Sequence, residues 1–421
     1  VSVEVAGSCR VLLHELRLRP DGDDWIVGRV DTGDFVAVPE IAAAALRLLG
    51  AGHSVDETHR RLRAERGREI DVAGFVRDLV GLGFVAAVDG RPVPGAPVPA
   101  PTLPRLRPRH VRWLVARPVA VAVLAVTGAA AVTALLAPGV LPSHRDLLWS
   151  PHASLVLAGN AAVAWSIVLL HELAHLLTAR AHGVPGRLGL GTRLQFLVAQ
   201  TDVSGIWAAP RSARLTVYLA GMVVNVVVAS VAVLVRAAAA PGTPVDRAAA
   251  VVLLLAVLPL PVQFLVFMRT DVYFVLQDVA GARNLYADGA AYARWWLRRA
   301  TRRPGADPSL ALRARERRAV RWYALLLVVG TAACLAVAAT VTVPFTLALL
   351  VDAAGGLRPG GDPVDRFDAA VTAAVLGGSW AVWGWAWWRR HGRRLHARRR
   401  ARRAGPQAVA GMAGHESTGG R

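Results

Sequence analysis

Lysine is absent from the 421 residues, so all 49 basic side chains are arginine, and against 29 acidic residues the net charge is +20. That absence reads as a GC-rich coding bias and carries little mechanism. Cysteine is almost as scarce. Cys9 lies near the start and Cys334 inside an apolar run, so neither a disulfide framework nor a cysteine-based metal site is available. The first residues also lack the basic, apolar, small-residue pattern of a signal peptide, and the N-terminal region is expected to stay in the cytoplasm. What is abundant is apolar: 54% of residues, with a mean hydropathy of +0.40. Long uninterrupted apolar runs favour a multi-span membrane protein over a large soluble core. The arginines cluster beside those runs, where they act as topology signals and headgroup contacts rather than as a nucleic-acid surface.

Residues 1–90 read as a small soluble domain. Trp25 to Val30 and Asp34 to Val38 are β-rich runs separated by the hairpin-like break Asp31-Thr32-Gly33. Three helices follow. Pro39 opens one that ends at Gly50, Ser54 with Glu57 forms a capping box for a second ending near Gly67, and Asp71 caps a third running to Leu82. Phe84 to Val88 returns as a strand. This order gives an α+β, winged-helix-like module. The run Val36-Ala37-Val38-Pro39 entering the first helix, and Leu82-Gly83-Phe84-Val85 leaving the last, resemble the PqqD-like peptide-binding domains of peptide-modification pathways. The resemblance implies a module that grips a leader peptide along a strand edge. A winged helix that contacts DNA or another protein is the competing reading.

Residues 91–117 form a Pro- and Arg-rich linker, extended by Pro92, Pro94, Pro97, Pro99, Pro101, Pro104 and Pro108. Residues 118–390 then carry six expected membrane spans, near Val119–Ala137, Leu155–Leu177, Leu215–Val235, Ala249–Phe267, Trp322–Val343 and Ala369–Trp387. The fold class is therefore mainly α, a polytopic helix bundle with a small α+β domain in front. Loops 178–214 and 269–321 are rich in arginine and the intervening loops are not, so both termini are expected on the cytoplasmic side of a cell membrane. Residues 391–421 are expected to be a basic, disordered tail following an interfacial tryptophan cluster.

The run His171-Glu172-Leu173-Ala174-His175 stands inside the second span. On a helix, residues four apart share a face, so the two imidazoles can hold one metal ion while Glu172 reaches a water beside it. An ionisable group inside a span is costly and is a functional candidate by default. A catalytic zinc site uses three protein ligands. The fourth span runs in the same direction as the second, so Asp271, in Arg269-Thr270-Asp271-Val272-Tyr273 at its cytoplasmic end, arrives at the right depth; an interfacial carboxylate paired with Arg269 is the competing reading. Asp278, seven residues on, is a supporting partner for the ligand, and Asp202 is the alternative ligand. The loop around Gly186, Gly189, Gly191 and Leu194 to Val198 either holds an extended substrate as an added strand or is a connection with turn glycines. Asn225 lies in Gly221-Met222-Val223-Val224-Asn225 in the third span; it either orients substrate and stabilises an oxyanion or hydrogen-bonds between helices. His182 is expected at the surface.

With these residues the chain resembles the site-2 protease family of intramembrane zinc metalloproteases, whose pattern is HExxH on one membrane helix and an Asp motif on a later one. Asp-Val-Tyr stands where many relatives have Asp-Gly-Tyr, which puts the backbone at Val272 in question, and Met222 replaces the proline of a Gly-Pro-x-x-Asn element. The resemblance implies zinc as cofactor, His171, His175 and Asp271 as ligands, Glu172 as catalytic base, and a peptide or protein substrate at the lipid bilayer. Joined to a PqqD-like domain, it implies removal of the leader from a ribosomally made, post-translationally modified precursor, as in daptide-type pathways. The alternatives are a regulatory protease releasing a membrane-bound signalling protein, and a non-enzymatic export or immunity component.

Overall fold

The computed structural model describes residues 5–67, 71–95, 97–194, 196–302, 305–358 and 362–403. It begins with β1 (Val11–Leu13), β2 (Arg17–Asp21), β3 (Asp24–Arg29) and β4 (Asp34–Pro39), followed by α1 (Glu40–Gly50), α2 (Val55–Arg66) and α3 (Val72–Gly81), then β5 (Val85–Val88) and β6 (Arg91–Pro92). The expected starts hold. Pro39 is the N-cap residue of α1, the Ser54 hydroxyl accepts from Glu57 N–H, and Asp71 accepts from Gly74 N–H. Each side-chain cap satisfies an amide that the first helical turn leaves without a partner. Gly67 ends α2 in the left-handed region, where a residue without Cβ carries no steric cost. The strands form two antiparallel sheets, ordered β1-β5-β6 and β2-β3-β4. Val27, Leu46, Leu49, Leu62, Val76, Leu79 and Phe84 close one apolar core between sheets and helices.

Among the described residues six helices are long and apolar enough to cross a membrane, the architecture of a multi-pass membrane protein. They are α4 (Arg117–Leu136), α5 (Ala153–Ala181), α6 (Arg211–Ala238), α7 (Pro244–Val262), α10 (Ala314–Gly356) and α11 (Pro363–Arg403), with the shorter α8 (Asp271–Ala280) and α9 (Leu285–Ala300) between α7 and α10. Three spans differ from expectation. The fourth stops at Val262, because Pro259 and Pro261 remove two amide donors and leave the helix without continuation. The fifth runs 43 residues, about 65 Å at 1.5 Å per residue. Pro344 does not end it, because the preceding turn Ala338–Thr342 widens to a π-helix, which gives the proline ring and its missing N–H the room they need. The last helix continues to Arg403, past the expected start of a disordered tail at 391; alanine and arginine are strong helix formers. The remainder of that tail, 404–421, lies outside the described residues.

The described residues fall into two compact units, one drawn from 5–147, 163–189 and 201–327, the other from 148–162, 190–200 and 328–403. In the first, Ala130 of α4, Ile167 of α5, Ala229, Ala232 and Val233 of α6, and Leu253 and Ala256 of α7 pack as one cluster. Small residues there let helix backbones approach closely. In the second, the C-terminal half of α10 lies along α11, and Ser154 donates to Asp368. Leu49 is 1% exposed in the N-terminal core, so Leu49→Ala is expected to destabilise that region by about 2–5 kcal/mol. Amide hydrogen exchange over α1 and α2 is the check: protection should fall there and stay unchanged in α6 and α7.

Candidate metal centre

His171 and His175 lie one turn apart on α5, with ring centroids 4.9 Å apart. Their orientation is set by α6. His175 Nδ1 sits 2.7 Å from the Val217 carbonyl oxygen, which can only accept, so Nδ1 carries the proton. His171 Nδ1 lies 3.3 Å from Asn225 Oδ1, and the Asn225 amide is oriented by its own donation to the Ala256 carbonyl on α7 at 3.3 Å. By the same reasoning His171 Nδ1 is the protonated nitrogen. Both rings therefore turn Nε2 to the far side. There Asp271 Oδ2 stands 3.0 Å from His171 Nε2 and 3.2 Å from His175 Nε2.

The ligand atoms of these three residues lie within 4.8 Å of one another, and both histidines are buried. Ligand atoms gathered at this spacing can hold one metal ion. Two imidazoles and a carboxylate, with the outer ring nitrogens already held by hydrogen bonds, are the donor set and surroundings that zinc takes. The arrangement is a metal-ligand cluster in a membrane protein.

Asp271 reaches this point through a break in the chain. After α7 ends, Gln263 folds back so that its Oε1 accepts from the Asp271 amide at 3.1 Å while its carbonyl accepts from the Thr270 hydroxyl. Asp271 is thus the first residue of α8, where the positive end of the helix favours a carboxylate. Arg269 adopts the left-handed region, φ +58°, and its guanidinium faces the Tyr273 and Tyr286 rings. Val272 continues a regular helix, so the local backbone has no need of a glycine there.

The other candidates separate. Asp278 is held by Arg214 of α6 through two hydrogen bonds of 2.7 Å, both side chains being almost fully buried; a buried carboxylate requires such a partner. It does not touch the histidines or Asp271, and supports the cluster only by fastening α8 to α6. Asp202 is outside the cluster as well. Burial would raise its carboxyl, but bonds from Ser204 and from Arg187 at 2.8 Å hold it below the usual range. Asn225 bridges α5 and α7 through its contacts with His171 and the Ala256 carbonyl. His182 is exposed in the turn after α5.

Glu172 is held from a different direction. Residues 187–193 and 196–202 form β7 (Arg187–Arg193) and β8 (Phe196–Asp202), a two-stranded sheet in which Gly189 and Gly191 are strand residues and not turn residues. At the end of β8 the Thr201 hydroxyl lies 2.7 Å from Glu172 Oε2 and 3.0 Å from the Glu172 carbonyl. The sequence carries no signal for this contact beyond the neighbouring Asp202. Gly221 had a signal, since it opens the element ending in Asn225, but its role is steric: a Cβ there would lie 2.3 Å from His171 Nε2.

Two outcomes test this geometry. Gly221→Ala and Asn225→Ala are each expected to lower zinc affinity roughly 10–100-fold, the usual effect of disturbing the groups that orient a ligand; competition against a chromophoric chelator measures it. Asp278→Ala leaves Arg214 buried without its counter-ion and is expected to cost about 3–5 kcal/mol, read as a loss of thermal stability in detergent or nanodiscs. Compared with protein-family models, with curated proteins and with solved structures, the chain matches none.

Proposed function

We propose that this chain is an intramembrane zinc metallopeptidase that cleaves a peptide bond at the cytoplasmic face of the membrane. The observation that carries the reading is the convergence of His171 Nε2, His175 Nε2 and Asp271 Oδ2, with Glu172 next to His171 on α5. These three side chains would hold zinc, which supplies Lewis acidity toward water and a peptide carbonyl. Glu172 takes a proton from the attacking water and returns it to the departing amine. Thr201, by donating to Glu172 Oε2, keeps that carboxylate aimed and leaves Oε1 for the water. Both histidines are buried, which limits the access of bulk solvent to them.

The substrate we propose is the leader-bearing precursor of a ribosomally synthesised, modified peptide. Support comes from the N-terminal region, whose outer strands β2 and β4 are edges on which an extended peptide could add, and whose sequence resembles PqqD-like leader-binding domains. The arginine-rich loops orient both termini toward the cytoplasm under the positive-inside rule, so a cytoplasmic precursor would meet the N-terminal region first.

The test uses purified protein in nanodiscs and the short precursor peptide encoded nearest to it, with cleavage followed by mass spectrometry. Glu172→Gln is expected to retain zinc and to cut about 10²–10⁴-fold more slowly. Equal cleavage by this variant, or a purified wild type that binds no zinc, contradicts the proposal.

A further inference from the structure

α8 is a short rod with Asp271 at one end, and its other end is held by the N-terminal region. Gly281, φ +67°, ends the helix in the left-handed region, and the chain turns so that Arg283 lies beneath it. Arg283 is held at this turn through both its backbone and its side chain. Its carbonyl accepts from Gln277 Nε2 on α8 at 3.1 Å, and its amide donates to Glu316 of α10 at 3.2 Å. Its guanidinium donates from Nε to Asp21 at 3.2 Å and from Nη2 to Asp24 at 2.7 Å. Asp21 and Asp24 flank the β2–β3 turn, and Asp24 also accepts from Arg313 at 3.2 Å. The same sheet meets the other side of the site. Gly33 and Val30, around the β3–β4 turn, lie against Ser204 and Gly205, so closely that a Cβ on Gly33 would be 2.7 Å from Ser204 Cβ. Ser204 lies two residues beyond Asp202 and three beyond Thr201.

We infer that Arg283 is a positioning residue for Asp271, anchored by Asp21 and Asp24, so that the N-terminal sheet is a working part of the metal centre and not a tethered accessory. The inference rests on the reading of Asp271 as a ligand. Gln277 ties the Arg283 turn to the last turns of α8, and a ten-residue helix transmits the position of one end to the other. Undocking the sheet would free that end and let the carboxylate leave the two Nε2 atoms. Linkage makes the effect reciprocal: metal at the centre favours the docked sheet, and whatever lifts the sheet weakens the metal. A precursor that adds to β2 or displaces the β2–β3 turn would therefore act on the centre as well as being delivered to it. The ion pairs are half exposed, the guanidinium and Asp21 carboxylate each at 35%, so salt should loosen them.

The experiment measures zinc affinity of the full-length protein in nanodiscs by chelator competition, with the visible spectrum of the cobalt-substituted protein as a second readout of ligand geometry. Arg283→Gln, and Asp21→Asn with Asp24→Asn, are each expected to weaken zinc roughly three- to tenfold and to shift the cobalt bands; combining them should weaken it no further than the worse of the two, because they remove the same contact. Arg283→Lys should recover most of the loss. Arg313→Gln, which removes a partner of Asp24 away from the α8 turn, should stay within twofold of wild type. The inference is overturned if Arg283→Gln stays within twofold of wild type with an unchanged cobalt spectrum, if the effects add, or if Arg313→Gln weakens zinc as much as Arg283→Gln. Asp271→Ala in the same assay separates the two levels. Loss of affinity there with none in Arg283→Gln removes only the positioning role, whereas wild-type affinity in Asp271→Ala removes the ligand reading beneath it.

Discussion

The site depends on two hydrogen bonds that point away from it. His175 Nδ1–H to the Val217 carbonyl and His171 Nδ1–H to Asn225 Oδ1 fix both rings, so that both Nε2 atoms face one carboxylate. A buried polar atom without a partner is costly, and these outward bonds give each ring one. The cluster they leave facing inward has the spacing to hold one metal ion. The neighbouring helices accommodate it: α6 gives up a side chain at Gly221 to admit the His171 ring, and α7 lends a carbonyl at Ala256 to turn the Asn225 amide.

Asp271 comes to the cluster from a different helix than the histidines, and several contacts place it. Gln263 holds the start of α8, the buried Arg214–Asp278 pair holds its side, and Arg283 holds its end. Breaking the helix after Val262 is what makes the placement possible. A span continuing to Phe267 would carry Asp271 onward along one axis, whereas the prolines at 259 and 261 stop it and let the chain fold back. Asp202, Asp278 and Asp246 each meet an arginine, and with lysine absent every such partner is a guanidinium, suited to bidentate bonding.

Much of this was legible in the sequence. Pro39, Ser54 and Asp71 mark helix starts by local chemistry alone, and the four-residue spacing of His171 and His175 dictates a shared face wherever a helix forms. Asp271 was reachable by topology, since a carboxylate at the same end of a parallel-running span meets the same depth. What escaped was nonlocal or carried by the backbone. No residue type announces that the carbonyl of Val217 will hold a ring, and the partner of Asp278 lies on another helix. Pro344 argues for a helix end, yet a π-turn just before it lets the fifth helix run on. Glycines at 189 and 191 suggest turns and instead form a strand, where Gly191 makes room for the side chain of Gln200.

The most direct test of the account is the zinc X-ray absorption spectrum of the purified protein. It predicts one zinc per chain with two imidazole nitrogens at about 2.0–2.1 Å and a carboxylate oxygen at about 2.0–2.2 Å, and no sulfur, with one imidazole lost in His171→Ala or His175→Ala. A protein that holds no zinc, or a spectrum whose imidazole count is unchanged by either substitution, would contradict it.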